Sequence, residues 1–167
     1  MVSCPGCYSA LDSHEDLKRA HGVEIKHISE FLEERLANLR FARADGSMSV
    51  TYHDPCDLGR EKEVFDPPRR LLEAVFGRPV REMERSRRDS HCCGAGSGVK
   101  SGYPELSTAI ASERVRQAES VGANTIVTSC PWCVQNLRDC LSPDDDRIRV
   151  VDLLELLEDS LLDQDGE

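Results

Sequence analysis

The chain predicts an α/β fold, a mostly parallel sheet with flanking helices and a ligand site at the carboxyl ends of the strands. Three observations lead there. Short apolar runs of strand character alternate with amphipathic segments of helical spacing, an order that builds parallel sheets because each crossover is a helix. Proline and glycine punctuate the boundaries. Cysteines follow the strand-like runs in three groups, Cys56, then Cys92 and Cys93, then Cys130 and Cys133, so loops remote in sequence would meet at one edge of the sheet.

Residues 47–53 read as a strand stopped by Asp54-Pro55, since the residue before proline is pushed out of the helical region. Residues 67–76 form an amphipathic helix with Leu71, Leu72, Val75 and Phe76 on its buried side and Gly77 as its stop. A second strand is expected at 80–83. Residues 105–121 carry Leu106, Ile110, Val115, Ala118 and Val121 at nearly helical spacing, between Pro104 and Gly122. Residues 123–128 are a buried strand, and 131–141 a helix with proline in its first turn, a favoured position. Residues 148–151 form the last strand, leading into a helix at 152–162.

At 167 residues, 39% hydrophobic and 31% charged, the chain can build one core without disulfide staples. Its net charge of -10 argues against a nucleic-acid surface, which needs an excess of Lys and Arg. No apolar run approaches the roughly 20 residues that span a bilayer, and the N-terminus lacks the pattern of a signal peptide. A cytoplasmic protein is expected, touching a membrane only through a partner. In that compartment eight cysteines fit metal or redox work better than disulfides.

An internal repeat changes how the first residues are read. The segment 3–11 (SCPGCYSAL) matches 129–137 (SCPWCVQNL), and 23–36 (VEIKHISEFLEERL) matches 148–161 (IRVVDLLELLEDSL) in apolar pattern and in the pair Glu30 and Glu155. Two landmarks in the same order imply a duplicated unit. Residues 1–45 then supply the C-terminal remnant of a first copy and residues 46–167 a complete second copy. The chain is expected to be a fragment of a longer protein or half of a split one.

Thiolates are soft ligands suited to iron-sulfur clusters, zinc and copper, and five around one site exceed the four positions of tetrahedral zinc. A multi-iron cluster is therefore favoured. Gly94 and Gly96, in Cys92-Cys93-Gly94-Ala95-Gly96-Ser97-Gly98, would let backbone N-H groups approach sulfur. The helix led by Pro131 would aim its positive end at Cys130 and Cys133. His53 and His91 flank the first cysteine and the cysteine pair, where either could donate to sulfur or handle a proton. Cys140 reads as a small core residue, Trp132 as packing, and the arginine-rich stretch 81–88 as a solvated loop. The alternative is a structural or interaction module in which Cys4, Cys7, Cys130 and Cys133 hold zinc, without redox activity.

Cys56, Cys92-Cys93-Gly94 and Cys130-Pro131-Trp132-Cys133, with the segment 53–60 (HDPCDLGR) around the first cysteine, resemble the cysteine-rich CCG domain. That domain is known in heterodisulfide reductases and in the iron-sulfur components of glycerol-3-phosphate dehydrogenase, glycolate oxidase and lactate-utilisation complexes. The resemblance implies a tandem pair of domains, one non-cubane 4Fe-4S cluster on Cys56, Cys92, Cys93, Cys130 and Cys133, and Cys4 and Cys7 as the last two ligands of an incomplete first site. It also implies electron transfer, with disulfide reduction as the sharper form, and partners among the iron-sulfur or flavoprotein subunits of a redox complex.

Overall fold

The alternation of strands and helices is realised as three short parallel strands clasped between helices. The structure, a computed structural model, describes residues 1–42, 46–142 and 144–162. In chain order the elements are α1 (Pro5–Asp12), α2 (Glu15–His21), α3 (Ile28–Glu33), β1 (Val50–His53), α4 (Asp66–Phe76), α5 (Val99–Gly102), α6 (Pro104–Ser120), β2 (Thr125–Thr128), α7 (Pro131–Asp139), β3 (Arg149–Asp152) and α8 (Leu153–Ser160). The sheet order is β1-β2-β3, with Val50 opposite Thr125 and Thr125 opposite Arg149.

Side chains alternate across a strand, and that alternation sorts the core into two layers. Val50, Tyr52 and Val127 pack with Leu71, Leu72 and Val75 of α4 and Leu153, Leu156 and Leu157 of α8. On the other face Ile126 and Val150 pack with Ala111, Val115 and Ala118 of α6 and Val134 and Leu137 of α7. Helices on both faces explain why β1 and β2 are buried throughout and, His53 apart, read as continuous apolar or hydroxyl-bearing runs.

The strand expected at 80–83 does not form. Arg81 donates its N-H to the Val50 carbonyl at 2.8 Å, but its own carbonyl accepts from the Thr51 hydroxyl at 2.5 Å. A side chain thus takes the acceptor that a ladder would need, and Met83 turns into the core. Sequence periodicity also gave no hint of the wide helical turn at Asp57–Glu61, which directs the chain away from β1 just after Cys56.

The first 42 residues dock on that turn. Tyr8, Leu58 and Val64 form a small core of their own with Val2 and Ile25. Ser9 Oγ donates to Glu61 at 2.7 Å, and Lys62 pairs with Asp12 at 2.7 Å. Val2 and His27 make an isolated parallel bridge, with Val2 N-H to the Lys26 carbonyl and Ile28 N-H to the Val2 carbonyl. By the matched segments Val2 and His27 take the places of Thr128 and Asp152, which are paired in the β2-β3 ladder. His27 caps α3 as Asp152 caps α8, each accepting from the backbone N-H two residues on.

Candidate metal centre

Three chain turns deliver the cysteines to the carboxyl ends of β1 and β2. Cys56 opens the wide turn after β1, held from behind by a buried ion pair: Arg69 of α4 grips both Asp54 oxygens, at 2.7 and 2.9 Å, and Glu82 as well. Cys130 follows β2 after Ser129 and caps α7, placing Cys133 on the helix's first turn. The loop carrying Cys92 and Cys93 is fixed by two polar side chains inside the core. Asn136 of α7 donates to the Cys93 carbonyl at 2.6 Å, while Ser107 of α6 donates to the Gly94 carbonyl at 2.8 Å and contacts Asn136 at 3.1 Å.

Cys56, Cys93, Cys130 and Cys133 line one cavity of about 440 Å³, and Cys4 and Cys7 face it from the start of α1. Cys92 lies off the cavity wall, but each thiol bears on the ionisation of the next, Cys56 on Cys92, Cys92 on Cys93, Cys93 on Cys133 and Cys133 on Cys130. The contacts polarise the thiols sharply. Donation from Cys56 and Cys93 drives Cys92 far below an ordinary thiol, and the same contact pushes Cys56 far up. Cys133, together with its own and the Trp132 backbone N-H, lowers Cys130; in turn the Cys130 and Cys93 contacts, then burial, raise Cys133. For Cys93 the Cys133 contact pulls down, yet Cys92 and burial together outweigh it and leave the thiol at about 12. Five thiols this close share a few protons because they cannot all ionise unaided, and a polynuclear cation would replace those protons.

The backbone contributes as the glycines predict, though unequally. Gly94 donates its N-H to Cys92 Sγ at 3.3 Å. Its φ of 84° is left-handed, and a Cβ there would meet the Ser107 carbonyl at 2.9 Å, so only glycine fits. Gly96 also lines the cavity, but a Cβ on it would meet nothing within 4 Å.

His53, the last residue of β1, lies beside two of the sulfurs. It is fully buried, its Nδ1 accepts from Arg114 Nε at 3.0 Å, and its Nε2 has no hydrogen-bond partner among the described residues. Burial and then the Arg114 charge hold its pKa down at about 3. One ligand atom each from His53, Cys93 and Cys133 all lie within 4.8 Å of one another. An orphaned polar atom beside two buried sulfurs is what a site awaiting a metal-sulfur group would show, so the residues fit such a group.

Other residues singled out by sequence fall elsewhere. His91 does not line the cavity; its ring nitrogens contact Arg85 Nη1 at 2.6 Å and Gln117 Nε2 at 3.0 Å. Trp132, expected to pack, is 58% exposed at the cavity rim, because the first turn of α7 turns outward there. Cys140 is half-buried against the α6–α7 core, its thiol donating to the Leu137 carbonyl at 3.2 Å. Arginines of the 81–88 stretch do lie in a loop, with Arg87 and Arg88 in surface ion pairs. Sequence reasoning missed Arg69, Arg114, Ser107 and Asn136. The available signal was a polar residue within an apolar helical stripe, as Arg114 sits among Ala111, Val115 and Ala118.

Residues 50–138 match the model of the cysteine-rich domain family named CCG. The chain belongs to that family. Among its relatives is a component of the dihydromethanophenazine:CoB–CoM heterodisulfide reductase from Methanosarcina acetivorans, 38% identical across 96% of this chain and 40% of the relative. A component of a fumarate reductase (CoM/CoB) from Methanothermobacter marburgensis is 35% identical across 93% of this chain and 31% of the relative. A probable iron-sulfur-binding oxidoreductase of Bacillus subtilis, FadF, is 38% identical across 85% of this chain and 21% of the relative. This CCG chain thus spans 40% or less of the length of each. No helix among its described residues is long and apolar enough to cross a membrane.

Proposed function

We propose that this CCG chain is a redox subunit, or part of one, that binds a single non-cubane 4Fe-4S cluster on Cys56, Cys92, Cys93, Cys130 and Cys133. The carrying observation is the convergence of Cys56, Cys93, Cys130 and Cys133 on one cavity at the carboxyl ends of β1 and β2, with Cys92 close enough to Cys56 and Cys93 for each to shift its ionisation. The relatives named as a heterodisulfide reductase component and an iron-sulfur-binding oxidoreductase support the same class. A cluster held there would supply one-electron steps between a partner's redox centre and a bound disulfide.

The chain's own part is to bind, orient and shield. Asn136, Ser107 and the Arg69-Asp54 pair fix the loops so that the sulfurs are preorganised. The Gly94 N-H and the start of α7 offset thiolate charge at Cys92 and Cys130. The cavity mouth, with Trp132 exposed beside Cys4 and Cys7, leaves a face for a disulfide substrate. Residues 1–45 would belong to a first CCG repeat, a reading supported by the Val2-His27 bridge and the paired caps of α3 and α8.

The test is metal and acid-labile sulfide content after anaerobic purification with iron-sulfur assembly machinery co-expressed. About four irons with matching sulfide per chain is the expected result. One zinc with no iron would establish the structural module instead, and no metal at all would reject both.

A further inference from the structure

His53 and Arg114 form a buried pair behind the sulfurs, and the position of each hydrogen atom follows from donor chemistry. A guanidinium carries only N-H donors, so Arg114 Nε donates to His53 Nδ1 and that nitrogen is the lone-pair one. In neutral imidazole the other nitrogen then bears the proton. His53 therefore carries a buried Nε2-H with no hydrogen-bond partner among the described residues, on a ring with one nitrogen within 4.8 Å of the Cys93 and Cys133 sulfurs. Arg114 itself cannot swing away. Three of its four remaining donors are taken, by the Arg85 carbonyl at 2.6 Å, Gln117 Oε1 at 2.7 Å and Ser90 Oγ at 3.1 Å. It is fully buried and, among the described residues, has no carboxylate within ion-pair distance, so its positive charge, felt by Asp54 and Glu82 only at longer range, sits a single side chain away from the thiols.

We propose that His53, locked by Arg114 as the Nε2-H tautomer, is a hydrogen-bond donor to sulfur of the metal centre and not a ligand to it, and that the pair raises the centre's reduction potential. The inference rests on the five-cysteine cluster reading. A ligand role needs a lone pair on Nε2, which Arg114 withholds by occupying the other nitrogen. Passing a proton would leave an imidazolate facing thiolates, so the geometry suits a proton that stays. An electron added to the centre places negative charge on sulfur, and a fixed N-H with a guanidinium behind it favours that reduced state. His53 and Arg114 are positioning residues in this account.

The deciding experiment is an electron paramagnetic resonance titration of anaerobic native protein, His53→Leu and His53→Gln, with iron content measured on each. Pulsed spectra of the native protein are recorded in H2O and D2O. Native protein should show an exchangeable-proton coupling and no directly bonded nitrogen. His53→Leu should keep its iron, lose that coupling and show at least a tenfold lower reduced-to-oxidised ratio at fixed potential, about 59 mV more negative for one electron. His53→Gln, which keeps an N-H, should recover part of the shift. A strongly coupled nitrogen in the native spectrum, or an iron-replete His53→Leu that titrates as native, overturns the inference and leaves the cluster reading standing. Native protein without iron overturns the cluster reading itself. Should His53→Leu fail to hold iron, the native D2O spectrum alone decides, and absence of the exchangeable coupling counts against the donor.

Discussion

The same short motif, Ser-Cys-Pro-x-Cys opening a helix, occurs at residues 3–7 and 129–133 with different outcomes. Cys130 and Cys133 are 8% and 3% exposed, share one cavity with Cys56 and Cys93, and are backed by Asn136 and His53. Cys4 is half-buried, Cys7 is exposed, and Cys7 is raised chiefly by the contact with Cys4. A helix beginning at proline after a cysteine is therefore a presenting device, while a site comes from what two other loops bring to meet it. The cap residue differs as well, since Asp152 and His27 do the same structural task with opposite responses to acid.

Removing Arg69 should do most to make the cradle resemble the looser pair. Arg69→Met leaves Asp54 buried without its bidentate partner next to Cys56, and breaking such a pair costs about 3–5 kcal/mol. Chemical denaturation of the metal-free protein should show a loss of that size. A change below about 1 kcal/mol would mean the cradle does not depend on this clamp.

Gly94→Ala comes next, since it puts a Cβ 2.9 Å from a backbone carbonyl at a φ of 84°. A loss of about 1–3 kcal/mol is expected together with weaker iron retention, whereas Gly96→Ala should be neutral within about 0.5 kcal/mol. Equal effects at the two glycines would show that the loop lacks the packing described.

Acid should loosen the N-terminal segment first. His27 donates from Nε2 to the Ser3 carbonyl, just before Cys4, and accepts at Nδ1 from Ser29 N-H, so it must be neutral. Burial lowers its pKa from 6.5 to about 4. The unfolded chain binds the extra proton between those values, so stability is full above 6.5 and falls as pH drops toward 4, by roughly 2–3 kcal/mol. Asp152 is raised by burial and so contributes in the other direction, its share being lost as pH rises through its folded value. Denaturation midpoints compared from neutral pH down toward the folded His27 value should fall less for His27→Asn, which keeps a cap acceptor without titrating in this range. Parallel pH profiles would remove His27 from the account.

Much of this was legible in the sequence, for identifiable reasons. Short apolar runs marked β1, β2 and β3, and the Pro131 and Gly77 boundaries held because backbone stereochemistry alone imposes them. Residues 80–83 misled because Val80 and Met83 give the segment strand-like character, while the competing Thr51 hydroxyl is thirty residues away. Convergence of the cysteines could be inferred from strand ends, but the supports behind them could not. Arg114, Asn136 and Ser107 are polar groups whose partners are set only by tertiary packing, so local pattern carries no sign of what they hold.

The smallest effect of all is expected at Cys7, and set against Cys93 it gives the most direct test of the central claim, that five cysteines and not the N-terminal pair form the cluster site. Cys93→Ala and Cys7→Ala are prepared anaerobically beside native protein, and iron content and electron paramagnetic resonance are measured on all three. Cys93→Ala should lose the iron and the signal, and Cys7→Ala should keep both at native level. An unchanged signal in Cys93→Ala, or its loss in Cys7→Ala, would contradict the account.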